Sequence, residues 1–196
     1  EFYNNIPDNS RVDKYSILFV GWVQYRKGLH VVIEALKKVA KEFSGFRLEV
    51  AGEMCSRGYE SRIRGMIREY GLEENVRILG KKTLQEVGQL LKTARAVVIP
   101  EQWENVSPLI MLEAMALEKI VIASDLGGMP EFIQDGVTGF LANPDSPDDF
   151  AGKIIRVFSD KDELGRIGLN ARSRVLELCD KTAIYNKWEK LIRELA

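Results

Sequence analysis

The chain has 196 residues, of which 45% are hydrophobic and 29% charged, and its formal net charge is -1. This size and composition are those of a globular domain with one core, and the balanced charge argues against binding to nucleic acid or to an anionic lipid surface. No run approaches the roughly 20 apolar residues that span a bilayer, and residues 1–10 do not resemble a secretory signal. Cys55 and Cys179 lack the spacing of metal ligands, so we expect reduced thiols in a cytoplasmic protein.

Three apolar runs in the first half of the chain predict β-strands, and a helical pattern follows each of them. The runs are SILFVG (16–21), FRLEVAG (46–52) and VRILG (76–80). The apolar residues that then recur at helical spacing are Leu29, Val32, Ile33 and Leu36, next Ile63, Met66, Ile67 and Tyr70, and finally Leu84, Val87, Leu90 and Leu91. Gly71 ends the second of these helices. A capping box of Thr83 and Glu86 begins the third.

The second half of the chain continues this alternation. It contains the strand runs AVVIP (96–100) and IVIAS (120–124) and a short strand TGFL (138–141), with helical segments between them. Strands made of continuous Val, Ile and Leu are buried on both faces, and their spacing leaves room for right-handed helical crossovers. We therefore predict an α/β fold, a doubly wound, Rossmann-like parallel sheet of about six strands with helices on both faces.

The end of the chain predicts further helices. Ser146 and Pro147 are a favourable N-cap and first helical residue. The last helix is expected to pack through Trp188, Leu191, Ile192 and Leu195. No repeat or linker divides the sequence, so we predict a single domain over residues 1–196.

The loop after the first strand, GWVQYRKG (21–28), is a candidate ligand site, because open parallel sheets bind ligands beyond the carboxyl ends of their strands. Arg26 and Lys27 stand between Gly21 and Gly28, and two cations there could clamp a diphosphate. The loop matches neither the dinucleotide-binding nor the P-loop pattern of glycines. The alternative is that both cations are solvated loop charges and that Gly28 only relieves a turn.

The loop after the fourth strand carries more polar groups. Ser107 and Pro108 predict the N-cap and first residue of a helix, which leaves the N–H groups of Leu109 and its successor free to bind an anion such as phosphate. Glu104 and Glu113 lie on either side of that helix start. A carboxylate accepts two hydrogen bonds from sugar hydroxyls, so Glu104 could bind a hexose and Glu113 a ribose. The alternative places both carboxylates in solvent.

Residues 100–141 resemble the signature of the family-four glycosyltransferases, also called glycosyl transferases group 1. That signature runs through a proline, an acidic loop, a helix with Glu-Ala-Met-Ala, a strand, Ser-Asp, Gly-Gly and a glutamate. Here its positions are Pro100, Glu104, the EAMA run at 113–116, Ser124, Asp125, Gly127, Gly128 and Glu131. The 21–28 loop resembles the family's Gly-Arg-x-x-x-x-Lys-Gly loop, so the resemblance covers almost the whole chain.

The resemblance implies the C-terminal, donor-binding half of a GT-B fold in a retaining glycosyltransferase. The donor would be a nucleotide-diphosphate sugar, and no metal or other cofactor would be required. The acceptor, a glycan or a lipid-linked glycan, would be held by an N-terminal domain absent from this chain. We therefore expect this chain to be part of a longer polypeptide in the cytoplasm or at the cytosolic face of a membrane. By itself it is expected to bind the donor without turnover.

The resemblance also implies roles for individual residues. Glu104, Lys27 and Arg26 would be catalytic, with Glu104 facing the donor sugar and the cations neutralising the diphosphate as the nucleotide leaves. Glu113 would bind the ribose, and the end of the third strand would hold a nucleobase whose identity stays open. The residues expected to line the nucleotide-sugar site are Gly21, Leu79, Lys81, Asn105, Val106, Ser107, Leu109 and Glu113.

Two departures from the family pattern leave alternatives open. Trp22 stands where the family commonly has the arginine of its Gly-Arg pair, and Arg26 could substitute for it. The family's two glutamates lie eight positions apart, whereas Glu104 lies nine before the glutamate of EAMA. We interpret this as a one-residue insertion, and otherwise Asn105 or Glu101 makes the sugar contact.

Two rival functions remain. One is a non-catalytic module that kept the fold, which Trp22 favours. The other is an enzyme similar to a sugar-nucleotide epimerase, against which the succession of Glu-Ala-Met-Ala and Gly-Gly argues. The lone histidine, His30, follows the cation loop, and we expect it to be structural or exposed rather than catalytic.

Overall fold

The structure is a computed structural model that describes residues 12–159 and 163–195. Its centre is a six-stranded sheet in the order β3-β2-β1-β4-β5-β6, in which every neighbouring pair is parallel. The strands are β1 (Ser16–Val20), β2 (Arg47–Ala51), β3 (Val76–Gly80), β4 (Ala96–Ile99), β5 (Ile120–Ser124) and β6 (Phe140–Ala142). This order is that of a Rossmann fold, so the predicted doubly wound sheet is confirmed.

Eight α-helices are described, together with a short 3-10 helix, Tyr25–Lys27, that precedes the first of them. They are α1 (Leu29–Glu42), α2 (Arg57–Glu69), α3 (Leu84–Thr93), α4 (Leu109–Ala116), α5 (Met129–Phe132), α6 (Pro147–Ser159), α7 (Glu163–Leu178) and α8 (Lys181–Leu195). Successive residues of β1 enter different cores, since Ile17 and Phe19 pack with α1, α2 and α6, whereas Leu18 packs with α3 and α4. Helices therefore cover both faces of the sheet, as the unbroken apolar strands predict.

Most helix ends follow the sequence pattern. The hydroxyl of Thr83 accepts from the backbone N–H of Glu86 at 3.3 Å, and the Glu86 carboxylate accepts from the Thr83 N–H at 2.8 Å, which completes the capping box. These bonds, together with Lys82, lower the pKa of Glu86 to about 2. Ser146 caps α6 through the N–H of Asp149 at 3.2 Å, directly before Pro147.

Three local predictions are wrong. Pro108 is the N-cap of α4 in place of Ser107, because its ψ of 126° is extended and the helix begins at Leu109. Leu84, expected on the packed face of α3, is 64% exposed, since it is the first helical residue and points outward. The short strand predicted at 138–141 is β6, which begins at Phe140 and not at Thr138. Thr138 lies in the preceding turn, where its hydroxyl accepts from the N–H of Gln134 at 2.8 Å.

The last helix forms as predicted, but its expected packed face is exposed. Trp188 is 60% exposed and Ile192 is 63% exposed, and α8 has no buried residue. The apolar periodicity therefore predicted the helix correctly and its burial wrongly. The physical reason is that no other element in residues 12–159 and 163–195 covers this face.

Candidate functional site

The strand order reverses between β1 and β4, because β2 and β3 extend the sheet on one side while β5 and β6 extend it on the other. Doubly wound sheets bind their ligands beyond the carboxyl ends of the strands at such a reversal. The loops that leave β1 and β4, residues 21–28 and 100–108, meet here, and the backbone N–H of Gln102 donates to the carbonyl of Arg26 at 2.7 Å. The candidate site is the junction of these two loops.

Gly28 allows the close approach of the two loops. Its φ is 68°, in the left-handed region that favours glycine. A Cβ atom at this position would lie 1.7 Å from the carbonyl oxygen of Pro100. The Gln102 side chain secures the same loop, because its amide donates to the carbonyls of Pro100 at 3.1 Å and Pro144 at 2.8 Å. Gly28 therefore does more than relieve a turn, since it lets the β4 loop lie against the β1 loop.

An ion pair joins the two loops at their contact. The ammonium of Lys27 pairs with the carboxylate of Glu101, whose residue is only 3% exposed. The same carboxylate oxygen, Oε1, accepts from the amide of Asn105 at 3.3 Å. Lys27 and Asn105, both expected in the donor site, are thus brought together through a residue that the sequence offered only as an alternative sugar contact. No sequence pattern indicated that Glu101 is buried, because it lies beyond the end of β4 at Ile99, where strand alternation no longer applies.

The loop after β5 completes the junction. The N–H of Gly128 donates to the carbonyl of Asn105 at 2.9 Å. A Cβ atom at Gly128 would lie 1.7 Å from the carbonyl oxygen of Val106, and one at Gly127 would lie 2.4 Å from that of Asn105. The Gly-Gly pair of the family signature, to which the sequence assigned no role, therefore holds the backbone of the β4 loop.

Several predicted ligand-binding groups are accessible at this edge of the sheet. Glu104 is exposed and Glu113 half-buried, and within the described part of the chain neither carboxylate has a hydrogen-bond partner. Arg26 is exposed, and its Nε lies 2.9 Å from the Gln24 amide oxygen when that amide is oriented toward it. Leu109 is 73% exposed, and among the described residues the backbone N–H groups of Leu109 and Ile110 have no acceptor. These groups are available to an anionic, hydroxyl-rich ligand.

The site continues along a row of glycines at the ends of neighbouring strands. The N–H of Gly21 donates to the carbonyl of Ala51 at 3.0 Å, and that of Gly52 donates to Gly80 at 2.9 Å. A Cβ atom at Gly52 would lie 1.8 Å from the carbonyl oxygen of Gly21. Leu79 and the exposed Lys81 lie at this end of β3, two strands away from β1. The structure thus separates these two predicted residues from the Lys27–Glu101 junction.

Several surface grooves of the described residues lie away from the strand reversal. One of about 350 Å³ lies between β3 and α3 and includes Leu79 together with Lys82 and Glu86. Another of about 580 Å³ lies between α1 and the start of α6. Its lysines are mixed with acids, and Lys38 approaches Asp148 at 3.4 Å. The second groove therefore presents no uniform charge to a ligand.

The lone histidine is buried, which agrees with a structural role. Its Nδ1 lies 2.9 Å from the hydroxyl of Tyr59, which also accepts from the His30 backbone N–H at 3.2 Å. Tyr25 stacks on the His30 ring with 4.6 Å between centroids. Burial, with a smaller contribution from the Arg62 charge, lowers the pKa of His30 to about 4, and burial raises the pKa of Tyr59 to about 12. The cluster ties the β1 loop to α2.

Among residues 12–159 and 163–195, no helix is long and apolar enough to cross a membrane. No three His, Cys, Asp or Glu side chains among these residues are grouped in a way that could hold a metal ion.

Comparison with known proteins adds to this geometry. Residues 4–174 match the family described as glycosyl transferases group 1. The lipopolysaccharide 1,2-N-acetylglucosaminetransferase of Salmonella typhimurium is 28% identical over 196 residues, which cover 96% of this chain and 50% of that protein. The chain spans about half the length of the relatives it matches.

Two solved structures share the fold. The complex of Anabaena HepE with UDP and glucose superimposes with a TM-score of 0.83 at 22% identity, over 92% of this chain and 48% of that one. The C-terminal domain of the group 1 glycosyl transferase LpcC from Francisella tularensis gives a TM-score of 0.78 at 26% identity, over 87% of this chain and 88% of that one. The family match, the strand order and these structures agree with the expected GT-B glycosyltransferase fold, and the chain belongs to the glycosyl transferases group 1 family.

Proposed function

We propose that this chain is the donor-binding domain of a retaining glycosyltransferase and binds a nucleotide-diphosphate sugar where the β1 and β4 loops meet. The observation that carries the proposal is the meeting of the two loops at the strand reversal, where Lys27 lies on the β1 loop and the β4 loop leads into α4. A cation and free backbone N–H groups are the devices that bind phosphate in a site without a metal. The presence of UDP and glucose in the HepE complex, which has the same fold, supports this choice of ligand.

The proposed roles follow the placement of each group. Lys27 and Arg26 neutralise the diphosphate as it leaves, which stabilises the transition state electrostatically. Glu113, on the first turns of α4, binds the ribose hydroxyls, and Glu104 or Asn105 contacts the donor sugar. The backbone of Val106, Ser107 and Leu109 lies along the phosphates and the sugar. Gly21 borders the diphosphate, and the backbone near Leu79 and Lys81 holds the base.

Transfer to an acceptor is proposed for the longer protein and not for this chain alone. The relatives are about twice as long, and the Francisella C-terminal domain matches nearly the same length of chain. We place the acceptor, a glycan or lipid-linked glycan, on an N-terminal domain across a cleft, in the cytoplasm or at the cytosolic face of a membrane. The lipopolysaccharide transferase among the relatives supports this acceptor class.

Calorimetric titration of the chain with UDP, GDP, ADP and UDP-glucose tests donor binding. One nucleotide is expected to bind, and Lys27→Ala and Glu113→Ala are each expected to weaken it about tenfold or more. Lys41→Ala and Glu34→Ala change exposed charges on α1 and serve as matched controls. Equal affinity in all four variants would remove the donor-site assignment.

A transfer assay tests the division of labour. The chain is mixed with the donor that binds best and with glycan acceptors, with and without the remaining half of the polypeptide. Transfer is expected only when both halves are present. Robust glycosylation by this chain alone would show that it contains an acceptor site of its own.

One observation favours a second candidate, a non-catalytic module of the same fold. Trp22, where the family commonly has an arginine, is 62% exposed and brings no charge, and the charge of Lys27 is compensated by Glu101. A module of this kind would bind UDP, GDP and ADP weakly or not at all, and it would give no transfer with both halves present. Transfer by the two halves together excludes it.

A further inference from the structure

Glu101 is a buried carboxylate at the centre of the proposed donor site, and neither the family signature nor the proposed roles use it. We propose that Glu101 is a positioning residue that holds the Lys27 ammonium and the Asn105 amide where the diphosphate and the sugar bind. The inference rests on the proposed function, because it concerns the same site. It is carried by the burial of Glu101, by its two partners and by the contacts that bring the loops together.

The burial of Glu101 makes its partners necessary. A buried carboxylate is stable only when a cation and hydrogen-bond donors compensate it. Lys27 supplies the cation, and it comes from the loop after β1, 74 positions earlier in the chain. The contact of Gly28 with the Pro100 carbonyl sets the spacing of these loops, so the backbone brings the Lys27 and Glu101 side chains within reach of each other.

The ion pair leaves Lys27 able to bind a ligand. An ammonium has three N–H donors, and Glu101 accepts one of them. The Lys27 side chain is 24% exposed, so part of it faces solvent at the edge of the sheet. A free lysine has a flexible stem whose ordering opposes binding, and the Glu101 contact orders it before the ligand arrives. The expected gain is preorganisation of the cation.

Asn105 extends this effect to the loop after β4. Its side-chain amide donates to the Glu101 oxygen that also accepts from the Lys27 ammonium. Its backbone carbonyl accepts from the N–H of Gly128. Asn105 is therefore held from both its side chain and its backbone. One carboxylate oxygen thereby fixes the relative position of a proposed diphosphate contact and a proposed sugar contact.

The test is a double-mutant cycle measured by calorimetry with the tightest binder among UDP, GDP and ADP. Glu101→Ala is expected to weaken binding about tenfold, whereas Glu101→Gln, which keeps an oxygen acceptor in place, is expected to stay within about threefold of the wild type. In the Lys27→Ala background, Glu101→Ala is expected to change affinity less than about twofold, because the ammonium is gone and a nucleoside diphosphate carries no sugar for Asn105 to contact. Glu34→Ala is the control for removal of an exposed glutamate.

Each other outcome overturns the inference. Wild-type affinity in Glu101→Ala, or additive losses in the double variant, would show that Glu101 does not act through Lys27. A change in affinity of more than about threefold in Glu101→Gln, in either direction, would show that the carboxylate acts by its charge and not by its position. If Glu101→Ala fails to fold by circular dichroism, Glu101→Asp replaces it. This variant withdraws the oxygen by one methylene and is expected to weaken binding about fivefold, again only when Lys27 is present.

The outcomes also separate this inference from the proposed function. Binding that depends on Lys27 but not on Glu101 leaves the donor site standing and removes the positioning role. Failure of the folded wild-type chain to bind UDP, GDP or ADP removes both.

Discussion

The loop junction and α8 both depart from the usual distribution of polar and apolar residues, in opposite directions. At the junction, the carboxylate of Glu101 is buried, and Lys27 and Asn105 compensate it. On α8, Trp188 and Ile192 are exposed, and nothing in the described chain covers them. Residues of this chain therefore compensate the buried charge at the junction, whereas no described residue covers the apolar face of α8. Substitutions should therefore be costly at the first and mild at the second.

The largest effect is expected from Gly28→Ala. The added Cβ would lie 1.7 Å from the Pro100 carbonyl oxygen at a φ of 68°, so the loops must separate. The free energy of unfolding is expected to fall by about 3 kcal/mol or more in urea denaturation. Gly65→Ala is the control, because a Cβ there meets no atom within 4 Å in the middle of α2. It is expected to be neutral or to add about 0.5–1 kcal/mol. Equal stability of the two variants would contradict the close packing.

A somewhat smaller effect is expected from Lys27→Ala, which leaves Glu101 buried without its cation. We expect a loss of about 2 kcal/mol, below the value for a fully buried pair because the Lys27 side chain is 24% exposed. Adding Glu101→Gln should restore part of the loss, since the uncompensated charge is removed. Lys41→Ala, on the exposed end of α1, should change stability by less than about 0.5 kcal/mol. A loss no larger than that of Lys41→Ala would place the pair among ordinary surface ion pairs.

The next effect is expected from His30, whose buried ring supports the β1 loop and makes stability depend on pH. Its folded pKa of about 4 lies below that of an unfolded histidine, so the fold favours the neutral ring. This contribution is complete above the unfolded value and is lost as the pH falls toward 4. Between pH 6.5 and 5, the unfolding free energy is expected to drop by about 1.5 kcal/mol.

Urea denaturation at pH 7, 6.5, 6, 5.5 and 5, in about 0.15 M salt, measures this slope. His30→Asn is the control, because the chain has one histidine and the variant has none. Its profile should be flatter than that of the wild type in this interval. Parallel profiles would show that the ring is protonated equally in the folded and unfolded states.

The smallest effect is expected on α8. Trp188→Ser should change the unfolding free energy of this chain by less than about 0.5 kcal/mol, because the side chain is 60% exposed. Phe158→Ser, at a 5% exposed site of α6, is the contrasting change and should cost about 3 kcal/mol or more. A loss of comparable size at Trp188 would mean that α8 packs on the rest of the chain.

The elements of the fold were predictable because their causes are local. Unbroken apolar runs gave the parallel strands, and Thr83 and Ser146 marked helix starts that the structure confirms. The candidate site was chosen from the sequence by the same kind of argument, since this sheet type binds ligands at strand ends, and its assignment stays a prediction. The burial of Glu101 was not predictable, because it depends on Lys27 and Asn105 meeting across two loops.

The exposure of α8 and the N-cap of α4 were missed for related reasons. Periodicity indicates which residues share a helix face, but it does not say whether another element covers that face. Pro108 suits the first turn of a helix equally well in sequence terms, yet its backbone here is extended. Burial of the α8 face thus depends on other elements, and the N-cap of α4 depends on the backbone angle that Pro108 adopts in the fold.

The glycines at the junction have a consequence for exchanging loops between relatives. Gly28 packs against the Pro100 carbonyl and Gly128 against that of Val106. The backbone conformations of the loops after β1, β4 and β5 therefore depend on one another. A β4 loop grafted from another transferase would have a different backbone conformation, so the loops that carry Gly28 and Gly128 should be exchanged with it. The side chain of Glu104 is exposed and free of such contacts, so it can be varied alone. Because the proposed function places Glu104 or Asn105 at the donor sugar, libraries built on that proposal would keep the three loops together and diversify Glu104 first.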